Sequence, residues 1–298
     1  MMPFARFSSA VCLGCVLFLS IESLNTGTVA AQVATADART LMRVEKNVAY
    51  YPESAKKDSY QSERCFLDVY LPSTEKDFPL VVWFHGGGLR GGVKDGDMEK
   101  AIAQRFVASG IGFVSVNYRL SPKANFPAYV EDAAAAVAYA YQHAGDWGAD
   151  DEKVFVSGHS AGGYLTLMVA LDPNYLKSHG MEPTQLAGYF PVSGQTITHS
   201  TVRAERGLPE DRPVIDDAAP SFHAKTKTAP IFCIAGDNDL AGRSEENRYL
   251  VALLRDAKAT AEFQEFADRD HGTIASKIPE EGDPVFAAIQ TFINQVEK

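Results

Sequence analysis

Basic residues, cysteines and long apolar runs are all scarce in this chain, and each scarcity excludes something. Lysine and arginine number 28 against 38 aspartates and glutamates, leaving a formal charge of −10 over 298 residues. That balance argues against a nucleic-acid partner and offers no general attraction for strongly anionic substrates. The apolar run near the N-terminus, Val11 to Ile21, falls short of the roughly 20 residues a helix needs to cross a bilayer. There is no internal repeat and no low-complexity tract, so solenoid and disordered classes fall away. Histidines, cysteines and carboxylates form no compact cluster with ligand spacing. No metal and no organic cofactor is expected. The sequence gives no oligomeric state.

What is present begins with a targeting pattern. Arg6 precedes the short apolar core, and Val29-Ala30-Ala31 supplies small residues for cleavage before Gln32, which reads as a signal peptide over residues 1–31. An uncleaved tether is the alternative; the reading adopted is an exported chain, periplasmic or extracellular, with no stable membrane anchor. Loss of this segment removes Arg6 and Glu22, one charge of each sign, so the formal charge stays at −10. It also removes Cys12 and Cys15. The remaining Cys65 and Cys233 fall in an early and a late strand, well separated in the usual sheet order, and are expected to be buried free thiols.

Residues 32–298 read as one α/β domain. Cys65 to Leu71 alternates like an antiparallel strand with one polar face, whereas Pro79 to Phe84, Ile111 to Val116, Lys153 to Ser157, Tyr189 to Val192 and Ala229 to Ala235 are continuous apolar runs typical of central parallel strands. Phe263 to Phe266 adds a further strand. Helical stretches separate them: Met98 to Ser109, Tyr129 to Ala144, Gly163 to Leu171, Glu245 to Ala257 and Pro284 to Val296. Repeated strand and helix units predict a doubly wound, mostly parallel sheet of about eight strands.

The chemistry concentrates at strand ends. Gly158-His159-Ser160-Ala161-Gly162 is G-x-S-x-G between a strand and a helix, the setting of a nucleophile elbow. The motif alone also fits a glycine-rich turn. A second strand runs into His85-Gly86-Gly87-Gly88, whose backbone N–H groups suit a developing oxyanion. The donors expected are Gly87, one of Gly86 or Gly88, and Ala161, while His85 is assigned to holding the loop. A serine needs a base and an orienting carboxylate. Asp239 follows the strand ending in Gly236, and His271 follows Phe263 to Phe266, giving the order serine, acid, base. Asp237 competes with Asp239 but is placed to shape the turn. His143, His179, His199 and His223 lack strand-end positions, and His159, inside the elbow, is expected to point away from the serine.

These motifs resemble a serine esterase of the α/β-hydrolase superfamily, near the hormone-sensitive-lipase-like and carbohydrate-esterase groups that carry H-G-G-G and G-H-S-A-G-G. The similarity runs from about Arg64 to the C-terminus and includes Val116-Asn117-Tyr118-Arg119-Leu120, Phe126-Pro127-Ala128 with Asp132, and Gly148-Ala149-Asp150-Asp151. It implies an α/β-hydrolase fold with Ser160, Asp239 and His271 as triad. It implies hydrolysis of small acyl esters through an acyl-enzyme, with acetyl or feruloyl groups on polysaccharide as candidate substrates. Between the export segment and the first strands there is no room for the long helical cap of many such enzymes. A peptidase or amidase of the same fold would use the same triad, and a non-catalytic ligand-binding relative would be expected to have a damaged one.

Residues 193–228 form a long polar stretch before the Asp239 strand, expected to be a small cap or pocket wall. Thr198, His199, Val202, Arg203 and Phe222 are candidates to line the substrate pocket, with a plain surface excursion as the alternative. Arg90, just past the glycine tract, is either a substrate contact or a solvated side chain.

Overall fold

In the computed structural model, residues 42–296 are described apart from residues 53, 55–57 and 74. The signal-peptide reading and Cys12 and Cys15 lie outside them. Eight strands build one sheet: β1 (Met42–Ala49), β2 (Phe66–Pro72), β3 (Phe78–Phe84), β4 (Gly112–Val116), β5 (Ala149–His159), β6 (Gly188–Val192), β7 (Ile231–Asn238) and β8 (Ala261–Asp270). Their spatial order is β1-β2-β4-β3-β5-β6-β7-β8. The β1–β2 and β2–β4 pairings are antiparallel and every later pairing is parallel. This is the α/β-hydrolase fold.

The helices are α1 (Ser59–Arg64), α2 (Asp97–Val107), α3 (Ala128–Trp147), α4 (Ala161–Leu171), α5 (Pro173–Lys177), α6 (Ser200–Glu205), α7 (Arg243–Asp256), α8 (Thr273–Ser276) and α9 (Pro284–Gln295). They cover both faces of the sheet, which is why the central strands carry no polar face. Alternate β3 residues divide between two cores. Leu80, Val82 and Phe84 pack with residues of α3 and α4, and Val81 and Trp83 pack with residues of α2 and α9. The alanines 133–136 of α3 are buried, and small side chains there let that helix approach the sheet closely.

The parallel arrangement sends six strand ends in one direction, five of them into the site. Residues following β3, β5, β6, β7 and β8 are His85, Ser160, Ser193, Asp239 and His271. In open α/β sheets the crevice beyond the carboxyl ends of the strands is the binding site.

Two elements depart from expectation. β1, which the sequence pattern did not reveal, is an edge strand with a largely exposed face and an irregularity between Glu45 and Val48. Its half-polar sequence carries little apolar signal because one neighbour and one packed face suffice at an edge. β5 begins four residues before Lys153, through the charged run Asp150-Asp151-Glu152. Cys65 and Cys233 are both buried and free.

Candidate active site

The elbow at Ser160 is a conformation that its neighbours impose. Ser160 has φ 57° and ψ −114°, outside the comfortable regions for a side-chain-bearing residue. The turn closes because Gly162 allows helix α4 to lie against the end of β3: a Cβ at Gly162 would sit 2.0 Å from the Phe84 carbonyl oxygen. The Ser160 N–H donates to the Val192 carbonyl at 2.9 Å, tying the Ser160 backbone to the end of β6.

Ser160, His271 and Asp239 come together in one hydrogen-bonded row. The Ser160 hydroxyl lies 2.8 Å from His271 Nε2, and His271 Nδ1 lies 2.7 Å from Asp239 Oδ1. With Nε2 accepting from the serine, Nδ1 carries the proton and donates to the carboxylate. Asp239 is almost wholly covered and His271 is one-quarter exposed. Burial raises the Asp239 carboxyl, but hydrogen bonds from His271, Ser193 and the Leu240 N–H outweigh it and hold the group below the ordinary carboxylate value. Asp237 is exposed and accepts from the Arg269 N–H and the Asn238 amide, linking the ends of the parallel strands β7 and β8.

Ser193 belongs to the same cluster, and sequence reasoning did not single it out. Its hydroxyl donates to Asp239 Oδ2 at 2.7 Å, while its Oγ lies 2.7 Å from His271 Nδ1 and accepts a share of that proton. The signal available was positional: Ser193 is the residue directly after β6, in the pattern shared by the three triad members.

His159 hydrogen-bonds outside the elbow. Its ring is directed to the base's own segment, with Nε2 2.6 Å from the His271 carbonyl and ring centroids 5.0 Å apart. A neutral ring donating Nε2–H fits that acceptor. Burial pushes its imidazole down to about 4, with the nearby His271 adding to the effect.

The glycine loop is held from below. His85 stacks on Tyr118 at 4.4 Å, and the Tyr118 hydroxyl donates to the His85 carbonyl at 2.8 Å. Arg64 donates Nε to the Tyr118 carbonyl, and its Nη2 lies 3.2 Å from His85 Nε2. Burial pushes the His85 imidazole down to about 3, so the ring stays neutral and donates Nδ1–H to the Gly86 carbonyl at 2.7 Å. A Cβ on Gly86 would fall 3.4 Å from the Ser160 Cβ, which places this loop beside the nucleophile. Gly87 and Gly88 have φ of 109° and 63°, values that favour glycine. The Ala161 N–H opens helix α4 and has no partner within that helix.

The pocket candidates separate. Thr198 and His199 are buried and engaged within their own segment: Thr198 donates to Asp216, and His199 Nδ1 accepts the Thr201 N–H at the start of α6. Val202 is buried in the core. Phe222 is 59% exposed and lines a separate depression with Leu253 and Ala257, so it is not part of a pocket at the triad. Arg90 is exposed and pairs with Glu210 at 3.1 Å. Arg203 alone of the stretch 193–228 candidates lines the cavity that adjoins Leu240. These polar residues bind their own loop because buried polar groups must find partners.

The fold is that of an α/β-hydrolase, and its strand ends set a serine, a histidine and an aspartate in one hydrogen-bonded row. Residues 67–188 match the family described as BD-FAE. The chain is similar to the carboxylesterase NlhH of Mycobacterium tuberculosis, 33% identical over 157 residues that cover 50% of this chain and 44% of the relative. The chain thus spans less than half the length of that relative. Kynurenine formamidase of Danio rerio is 27% identical over 290 residues, covering 93% of this chain and 89% of its own. Among solved structures, a truncated carbohydrate esterase from gut microbiota superposes with a TM-score of 0.68 at 17% identity, covering 85% of this chain and 96% of the other.

Proposed function

We propose that the protein is a serine carboxylesterase that hydrolyses small acyl esters through an acyl-enzyme. The observation that carries this reading is the unbroken row from Ser160 through His271 to Asp239. A serine hydroxyl at neutral pH is a weak nucleophile, and a neutral imidazole 2.8 Å away takes its proton as Oγ attacks the ester carbonyl. The imidazolium that forms is stabilised by the Asp239 carboxylate, which also fixes the tautomer. The tetrahedral oxyanion is received by backbone N–H groups of Gly87, of Gly86 or Gly88, and of Ala161, which need no reorganisation as charge develops. His271 then protonates the leaving alcohol. Water, deprotonated by the same ring, releases the acyl group.

Acetyl or feruloyl groups on polysaccharide are the substrates proposed, supported by the resemblance to carbohydrate esterases and by the BD-FAE match. Export to the periplasm or beyond is proposed from residues 1–31 and fits a polymeric substrate. A second reading is hydrolysis of an aryl formamide by the same triad, favoured by the near full-length match to a formamidase. Assay of acetylated xylan, methyl ferulate, short 4-nitrophenyl esters and N-formylaniline side by side separates the two. Ser160→Ala is expected to lower kcat roughly a millionfold on whichever substrate turns over, since triad members act as a unit. A Ser160→Ala protein with ordinary turnover sinks the assignment, and so does a wild-type protein that no fluorophosphonate labels.

A further inference from the structure

A cavity of about 650 Å³ is lined in part by Leu240, whose N–H donates to Asp239, and its wall carries charge that the hydrolytic steps do not use. Gln195, Arg203, Glu210, Leu240 and Arg243 are among its lining residues. Leu240 follows Asp239 directly, and Gln195 stands two residues past Ser193. On the other side the lining residue Glu210 pairs with Arg90, two residues past Gly88, and Thr201, two residues before Arg203 in the same helix, donates to the Gly88 carbonyl.

Arg203 is 4% exposed and Arg243 is 7% exposed. Each guanidinium is partly engaged: Arg203 donates Nη1 to the Thr198 carbonyl and Nη2 to the Glu210 carbonyl, and Arg243 Nη1 lies 2.8 Å from Glu246 Oε1. Yet the Nε of both arginines is buried without an acceptor, and Arg243 Nη1 meets Glu246 without hydrogen-bonding geometry. Leaving a buried donor unsatisfied is costly, and more so where it is charged. This wall is therefore short of acceptors. Glu246 is the one acid on the wall that is not exposed, and burial pushes its carboxyl up to about 7, the Arg243 charge opposing the rise. It cancels two fixed positive charges only in part. Glu210, Asp211 and Glu245 lie exposed at the rim, with Glu210 engaged by Arg90.

We propose that this cavity receives a carboxylate carried by the substrate, held by Arg203 and Arg243, so that the enzyme prefers esters bearing one free carboxylate over their neutral counterparts. The proposal rests on the hydrolase reading for its kinetic consequence and on the cavity alone for its binding consequence. The acidic rim and the formal charge of −10 disfavour polyanions, which leaves a single carboxylate as the matching group.

Two measurements test it. Calorimetric titration of the Ser160→Ala protein with glutarate is expected to give saturable binding that dimethyl glutarate does not reproduce, weakened at least about tenfold by adding Arg243→Gln. In the catalytic protein, kcat/KM is compared for mono-4-nitrophenyl adipate against methyl 4-nitrophenyl adipate, and for 4-acetoxybenzoate against methyl 4-acetoxybenzoate. The first pair puts the carboxylate on the acyl side and the second on the alcohol side. One pair should favour the acid at least about tenfold, with the ratio collapsing in Arg203→Gln and Arg243→Gln and surviving in Arg243→Lys. Should a Gln variant fail to fold, the wild-type ratios and the glutarate titration decide: no preference in either pair, with no glutarate binding, overturns the proposal. Glutarate binding without turnover of any ester upholds the cavity and sinks the hydrolase reading.

Discussion

Ser160, Asp239 and His271 were legible in sequence because each follows a strand-like run within a short motif, and local pattern carries that information. Ser193 was missed because it follows its strand-like run without a recognisable motif, and only the parallel sheet shows that this strand end meets Asp239 and His271, 46 and 78 residues away. Its hydroxyl donates to Asp239 and accepts from His271, so in the proposed esterase it is a positioning residue. Ser193→Ala removes one acceptor for the Nδ1 proton and one donor to Asp239 without touching the bound ester. Hydrogen bonds to charged groups are worth about 1.5–3 kcal/mol, so kcat is expected to fall about tenfold to a hundredfold. KM should stay within about twofold, because the loss is felt as the imidazolium forms. Steady-state kinetics on a 4-nitrophenyl ester check this. A rise in KM at constant kcat would make Ser193 a pocket residue instead.

Central strands announced themselves through unbroken apolar runs, whereas β1 and the first residues of β5 did not. A ladder hydrogen bond is made by backbone, and a strand segment that packs on one face, or on none, leaves no periodicity to read. The pair Arg119 and Asp132 illustrates an interaction that sequence proximity hints at and structure explains. Both are buried, and the guanidinium forks onto the carboxylate at 2.8 Å through Nε and Nη2, tying the loop after β4 to helix α3. Asp132 also accepts the Arg119 backbone N–H and the Tyr51 hydroxyl. Removing one member of such a pair strands the other, at a typical cost of about 3–5 kcal/mol. Asp132→Ala should fall near the lower end, because Asp58 lies 3.0 Å and Glu131 3.8 Å from the same guanidinium. Equilibrium unfolding in urea measures the difference, and a loss under about 1 kcal/mol would show that solvent already screens this pair.

For the molecule as a whole, the buried imidazoles set the response to acid. Burial holds His85 and His199 down to about 3 and His159 to about 4, while in the unfolded chain each titrates at its ordinary 6.5. Between those values the unfolded state binds three protons that the native state refuses, so stability is lost as pH falls below 6.5. Glu246 works in the opposite direction. Its carboxyl, pushed up to about 7 from 4.5, makes the native state bind one proton more, and stability from this group is lost as pH rises through that interval. Three against Glu246 leaves a net uptake of about two protons on unfolding near pH 5, a slope of about 2.7 kcal/mol per pH unit, trimmed by Glu99, whose carboxyl burial also raises. Below that range the lowered carboxyls of Asp58, Asp216 and Asp239 add losses of the same sign. Unfolding free energies measured between pH 7 and pH 4.5 should therefore decline steeply, with Glu246→Gln steepening the fall toward three protons. His159→Asn should flatten it by one, since asparagine keeps an N–H for the His271 carbonyl and cannot take up the proton. A flat profile over this range would mean that these rings accept protons in the native state, and the neutral His159 that braces the base would have to be abandoned with them.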